Sequence, residues 1–161
     1  MCLNIVEKIY HPYIDFTQKR YKIFRSCEED LLNLNASTWI GDYYFSVGEE
    51  LDCTVDIKGN KFNRTMIISS DNKEYQTGFH SYLTPNGLFQ MHRNFLINEI
   101  LYNHKLFAIY EVEASQILAR GCERLECSAL LPNYGTLHTV TVSKKIKLVR
   151  KILPDELKKF I

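Results

Sequence analysis

Lys105-Leu-Phe-Ala-Ile-Tyr-Glu-Val-Glu-Ala114 and, after a short excursion, Thr139-Val-Thr-Val-Ser-Lys-Lys-Ile-Lys-Leu-Val-Arg-Lys151 decide the fold. Both read as β-strands. In the second, Val140, Val142, Ile146 and Leu148 fall on one face, while Thr139, Thr141, Ser143, Lys145 and Lys147 fall on the other. A period of two with one apolar and one polar face describes a strand in a sheet packed on one side.

Working upstream, Tyr21–Arg25, Asp42–Val47, Leu51–Ile57 and Phe62–Ser69 are further extended runs. Gly48, Lys58-Gly-Asn60 and Asp71-Asn-Lys73 serve as turns between them, and Glu28–Asn35 reads as a turn or a single helical turn. Thr84-Pro85 opens the main helix. A threonine hydroxyl can accept from a first-turn amide, and proline tolerates the first helical position because no N–H is needed there. Leu88, Met91 or His92, Phe95, Leu96 and Ile100 then recur at helical spacing, and Asn103 ends the run. Pro154–Ile161 forms a short terminal helix with acids first and lysines last, which suits the helix dipole. The expected fold class is α+β: a mostly antiparallel sheet, one main helix packed across it and a short C-terminal helix. Residues 1–161 form one domain, with 1–20 an N-terminal extension or an edge element, Pro12 interrupting either a strand or a helix there.

The chain has 161 residues, 45% hydrophobic and 24% charged, enough for one well-filled core. Its net charge is +1, unevenly spread: from Ser143 onward seven Lys/Arg face two acids, a local charge of +5 that leaves −4 on the remainder. Lys144, Lys145 and Lys147 are therefore a candidate basic surface, although lysines on the wet face of a strand also discourage edge-to-edge pairing. A near-neutral total does not favour general nucleic-acid binding. The N-terminal residues lack a signal-peptide pattern, and no apolar run approaches the roughly 20 residues of a membrane helix. Cys2, Cys27, Cys53, Cys122 and Cys127 are odd in number and sparse, which fits a reducing, cytoplasmic setting or a virion within it. Cys122 and Cys127, with His104 and His138 as the nearest imidazoles, lack paired ligands at zinc spacing, so neither metal nor cofactor is expected.

Three places carry possible chemistry. In Thr77-Gly-Phe-His-Ser-Tyr82, Gly78, His80 and Tyr82 frame a strand-to-helix corner. His80 is either a ligand contact at the mouth of a pocket or a residue that pins the corner through a hydrogen bond, and the second reading is taken. Glu111 and Glu113 share one strand face, where paired carboxylates can do acid–base work or meet lysines across the sheet. With Arg25 and Ile67-Ile-Ser-Ser70, their order resembles the Arg…Ser…Glu-x-Glu pattern of ADP-ribosyltransferases. That resemblance implies a nucleotide- or NAD-acting enzyme with Arg25, His80, Glu111 and Glu113 converging. It departs from the family in placing the glutamates within a strand rather than in a loop leading into one.

A second resemblance rests on Asp42-Tyr-Tyr-Phe-Ser-Val-Gly-Glu49, Gly78-Phe-His-Ser-Tyr82, Tyr110-Glu-Val-Glu113 and Lys145-Ile-Lys-Leu-Val-Arg150. Together these motifs resemble a family of small uncharacterised β-rich domains of phages, bacteria and large DNA viruses. The resemblance spans roughly residues 20–157 and departs at Asn60–Asn72 and Leu118–Asn133. It implies a β-rich domain in a viral or phage setting and no particular activity. An AT-rich coding source, suggested by abundant Asn, Ile, Lys and Tyr, agrees with that setting. The function expected is a non-catalytic binding or assembly module contacting a protein partner or a small anionic ligand. The transferase-like enzyme and a structural component of a larger particle are the alternatives.

Overall fold

The computed structural model describes residues 3–26, 32–33, 44–45, 47–54, 65–68, 73–102, 107–124 and 135–161. The expected turn at Lys58–Asn60 and the helix end at Asn103 lie outside the described residues. Of the turn or helical turn expected over Glu28–Asn35, the described part, Leu32–Asn33, is instead a short strand paired to the strand before it. The strands are β1 (Ile5–Ile14), β2 (Gln18–Ser26), β3 (Leu32–Asn33), β4 (Tyr44–Phe45), β5 (Glu50–Asp52), β6 (Thr65–Ile68), β7 (Lys73–Gln76), β8 (Phe79–Tyr82), β9 (Phe107–Arg124) and β10 (Leu137–Ile152). The helices are α1 (Pro85–Met91), α2 (Arg93–Tyr102) and α3 (Pro154–Leu157), the last followed by a 3₁₀ turn, Lys158–Phe160. The class is α+β with a mostly antiparallel sheet.

The deciding stretch becomes a long hairpin, β9 against β10, paired from Ile109 opposite Ile152 to Arg124 opposite Leu137. β2 lies along the first half of β9 and β1 along the second, while β8 and β5 share the other edge of β10. β8 also meets β2 at Tyr82 and Tyr21. The pairings β9–β10–β8–β2–β9 thus close a ring, and β1 stands at the end of the strand order. Closure requires the long strands to bend. Gln116 supplies the bend with a left-handed φ of 52°, beside the register irregularity between Val142 and Ser143.

Two cores follow from this bend. Phe24, Leu51, Cys53, Phe79, Tyr110, Val112, Ala114, Ile117, Ile146 and Leu148 pack among the strands as an inner core. Ile23, Tyr75, Tyr82, Leu88, Phe89, Leu96, Ile109, Val140, Val142, Ile152 and Leu157 join sheet to helices as an outer core. The expectation of one apolar face on the second strand is corrected here. Val140 and Val142 serve the helix-facing core and Ile146 and Leu148 the inner one, while Thr141 and Ser143, expected on the wet face, are buried. A strand that crosses from one layer to another buries both its faces in turn. The expected excursion from Leu118 is also corrected: β9 continues to Arg124.

Thr84 caps α1 as its sequence implies, its hydroxyl accepting from Gly87 N at 3.0 Å. The single helix foreseen after it is instead two. At His92 the backbone leaves helical geometry (φ −114°, ψ 23°), and its imidazole meets the Tyr82 ring edge-on, with centroids 5.9 Å apart. Among the described residues, no helix is long and apolar enough to cross a membrane.

Candidate functional site at the strand-to-helix corner

Gly78 starts the corner because nothing larger fits. A Cβ there would fall well inside van der Waals contact with the Ser143 carbonyl oxygen of β10. The four residues after it, Phe79 to Tyr82, are all buried. His80 faces the helix layer, where its Nε2 lies 3.4 Å from the Tyr75 hydroxyl, and that hydroxyl accepts from Leu3 N at 3.0 Å. The His80 carbonyl accepts from the Lys22 ammonium at 2.9 Å. Tyr82 donates its phenolic hydrogen to the Glu123 carboxylate of β9. The corner therefore gathers the buried polar side chains of Lys22, Tyr75, His80, Tyr82 and Glu123, with the His92 ring packed against Tyr82.

Burial dominates the electrostatics of this corner. His80 is pushed down to about 3, first by loss of water and then by the Lys22 charge, and His92 to about 4 for the same two reasons. Both imidazoles are neutral at physiological pH. Desolvation also brings Lys22 down to about 8, partly opposed by Glu123. Burial raises Glu123, against the Tyr82 hydrogen bond and the Lys22 charge, and drives the Tyr82 hydroxyl far above its ordinary value. A proton held this way fixes a hydrogen bond rather than moving to a substrate.

The two glutamates have other partners. Glu111 lies 3.7 Å from Lys19 and 3.4 Å from Arg150, and Glu113 stands between Lys19 of β2 and Lys147 of β10 in the ladder. The Arg25 backbone pairs with Phe107, and its side chain lies outside the described residues. Of the four residues asked to converge, His80 sits under the helices, whereas Glu111 and Glu113 stand among cations. In the basic segment, Lys144 lies 4.0 Å from Asp52 and Lys145 3.7 Å from Glu50, both on the neighbouring strand end. Lys147 is exposed and faces Glu113 and Glu50 across its two ladders. Among the described residues, no cluster of three or more His, Cys, Asp or Glu could hold a metal ion.

Beside the corner, a cleft of about 200 Å³ opens between the end of β8, α1 and the start of β10, lined by Leu83, Thr84, Gly87, Leu137, His138 and Thr139. Gly87 leaves room for the His138 ring, since a Cβ at that position would stand 3.3 Å from its Nδ1. The Nε2 atom is buried without a hydrogen-bond partner, and desolvation lowers the imidazole's proton affinity. Leu83 and Leu137, 45% and 44% exposed, form an apolar rim. In the sequence His138 stands out only as an isolated imidazole, because its setting depends on a helix that begins more than fifty residues earlier. Lys22 and Glu123 carry no local signal of burial at all.

No family model matches this chain, and no curated protein or solved structure matches it either.

Proposed function

We propose that this protein is a non-catalytic binding or assembly module whose contact site is the cleft beside the Gly78–Tyr82 corner. The observation that carries the reading is the division of labour at that corner. His80, Tyr82 and Glu123 are engaged with one another's neighbours inside the protein, whereas the half-buried His138 lines a small cleft rimmed by leucines, and its Nε2 lies buried without a hydrogen-bond partner. A small cleft with an imidazole and two threonines between exposed leucines suits a short protein segment or a small ligand, held by flanking apolar contact and by polar contact at its walls. The viral or phage setting belongs to the same proposal and rests on composition and motif resemblance.

A nucleotide- or NAD-acting enzyme would need Arg25, His80, Glu111 and Glu113 in one pocket; the separate partners of His80 and the glutamates favour the binding module. The role in a larger particle would use Lys144, Lys145 and Lys147, and the nearby carboxylates make that surface less strongly basic than its sequence.

The test is an NMR titration of the protein with acetate, a primary amide, short Leu- and Ser-containing peptides, and NAD. Shifts concentrated at Thr84, Gly87, His138 and Thr139, lost in His138→Phe, are expected. Perturbations confined to other parts of the molecule, or turnover of NAD, would overturn the reading.

A further inference from the structure

We propose that Arg20 and Arg120, on either side of Thr141, form an oxyanion site, taking inorganic phosphate or the phosphate of a small monoester. This site shares no residue with the cleft at His138. Arg20 stands opposite Val112 in the β2–β9 pairing, which turns its side chain toward the inner side of the ring. It is half-buried there, and its Nε donates to Thr141 Oγ1 at 3.0 Å. The remaining bonds go to the Lys19 carbonyl, at 2.8 Å, and to Gln18 Oε1. All three acceptors are neutral. Among the described residues Arg20 has no carboxylate partner, unlike Lys19, Lys144, Lys145 and Arg150. A guanidinium carries five N–H donors, so two remain open.

Arg120 adds a second cation at the same place. It lies directly opposite Thr141 in the β9–β10 ladder, and its charge, after burial, weakens the hold of Arg20 on its proton. Glu7 contacts Arg120 at 3.3 Å, and Lys8 stands across from Arg120 in β1. Among the described residues Glu7 is the carboxylate partner of Arg120 and not of Arg20, so it offsets one of the two guanidinium charges. Beneath them Thr141 and Ser81 are buried side by side across β10 and β8.

Both arginines flank Thr141, and like charges gathered there repel each other. An oxyanion between the two guanidiniums would take up the open N–H groups in charge-assisted bonds and reverse the repulsion. A tetrahedral phosphate offers oxygens to both forks at once, which a chloride ion cannot do.

The experiment is calorimetric titration with sodium phosphate and with adenosine monophosphate, each against sodium chloride at matched ionic strength. Phosphate-specific binding is expected, weakened about tenfold or more in Arg20→Gln, the scale of one lost charged hydrogen bond. Arg120→Gln, at a half-exposed position, tests the same site in a fold left intact and should weaken binding as well. Lys147→Gln should leave it unchanged. Equal affinity for the two anions would assign recognition to the phosphate group, and tighter binding of the monophosphate would add contacts beyond it. No preference for phosphate over chloride, or binding of either anion that survives both arginine variants, would overturn the proposal.

Discussion

Tyr82 and Glu123, 41 residues apart in the chain, meet inside the protein, where the tyrosine hydroxyl donates to a carboxylate whose other oxygen has no hydrogen-bond partner. The contact ties β8 to the far end of β9 beneath the helix layer. It makes the carboxylate dependent on one donor, with the Lys22 charge as distant support.

Tyr82→Phe removes that donor and leaves a buried carboxylate bare. The expected cost is about 1–3 kcal/mol or somewhat more, read as a lower urea midpoint. Adding Glu123→Leu to that variant should recover part of the loss, because both polar partners are then gone. A double variant less stable than Tyr82→Phe alone would show that Glu123 has a stronger partner elsewhere.

Stability should fall in acid. His80 and His92 have folded values of about 3 and 4, below the ordinary 6.5, so the unfolded chain binds more protons between those limits. Their contribution is fully present above about pH 6.5 and shrinks by up to about 1.4 kcal/mol per pH unit per imidazole as the pH falls. Glu123, raised by burial, works in the opposite sense: its contribution is greatest at low pH and is lost as pH rises through its folded value. His92→Phe keeps the ring against Tyr82 and removes one titrating group. Urea titrations from pH 4 to 8 should give a flatter acid limb for this variant, and an unchanged slope would contradict the assignment.

Gly78→Ala should destabilise strongly. The new methyl would meet the Ser143 backbone carbonyl, which is held in the ladder and cannot rotate away as a side chain could. Separating β8 from β10 enough to relieve the clash would disturb the buried polar side chains, for an expected loss of about 1–3 kcal/mol or more. Thermal unfolding measures it; a melting temperature equal to that of the parent would mean the strands can separate freely.

Glu111→Gln should be mild. Lys19 and Arg150, its ion-pair partners, are 63% and 51% exposed, so water and salt already screen much of the attraction. A loss below about 1 kcal/mol, diminishing as salt is added, is expected from chemical denaturation. A large loss insensitive to salt would point to a role for Glu111 beyond the surface ladder.

Much of the architecture was legible because its signals are local. Thr84-Pro85 marks a helix start through a cap and a missing N–H, both read within four residues, and the alternation of residues 139–151 marks a strand. His92 was harder. Its helical spacing fits a continuous helix, and only the packing of its ring on Tyr82 accompanies the break. The alternation on β10 also gave the wrong assignment of faces, since it records which residues are apolar and says nothing of how many layers they meet. Of the site residues, Gly78, His80 and Tyr82 could be singled out as a motif, but His138 could not, because its cleft is assembled from three separate elements.

Residue order and chemistry by themselves determined the α+β class, the strand and helix starts, and the uneven distribution of charge, because these depend on neighbours within a few positions. Tertiary structure alone decided that β9 and β10 bend into a ring, that Lys22 and Glu123 are buried, and that Arg20 meets Thr141 rather than a carboxylate. Lys22 reaches a carbonyl 58 residues away and Arg20 a hydroxyl 121 residues away. The cost of burying or crowding those charges depends on partners that only the closed fold brings within reach.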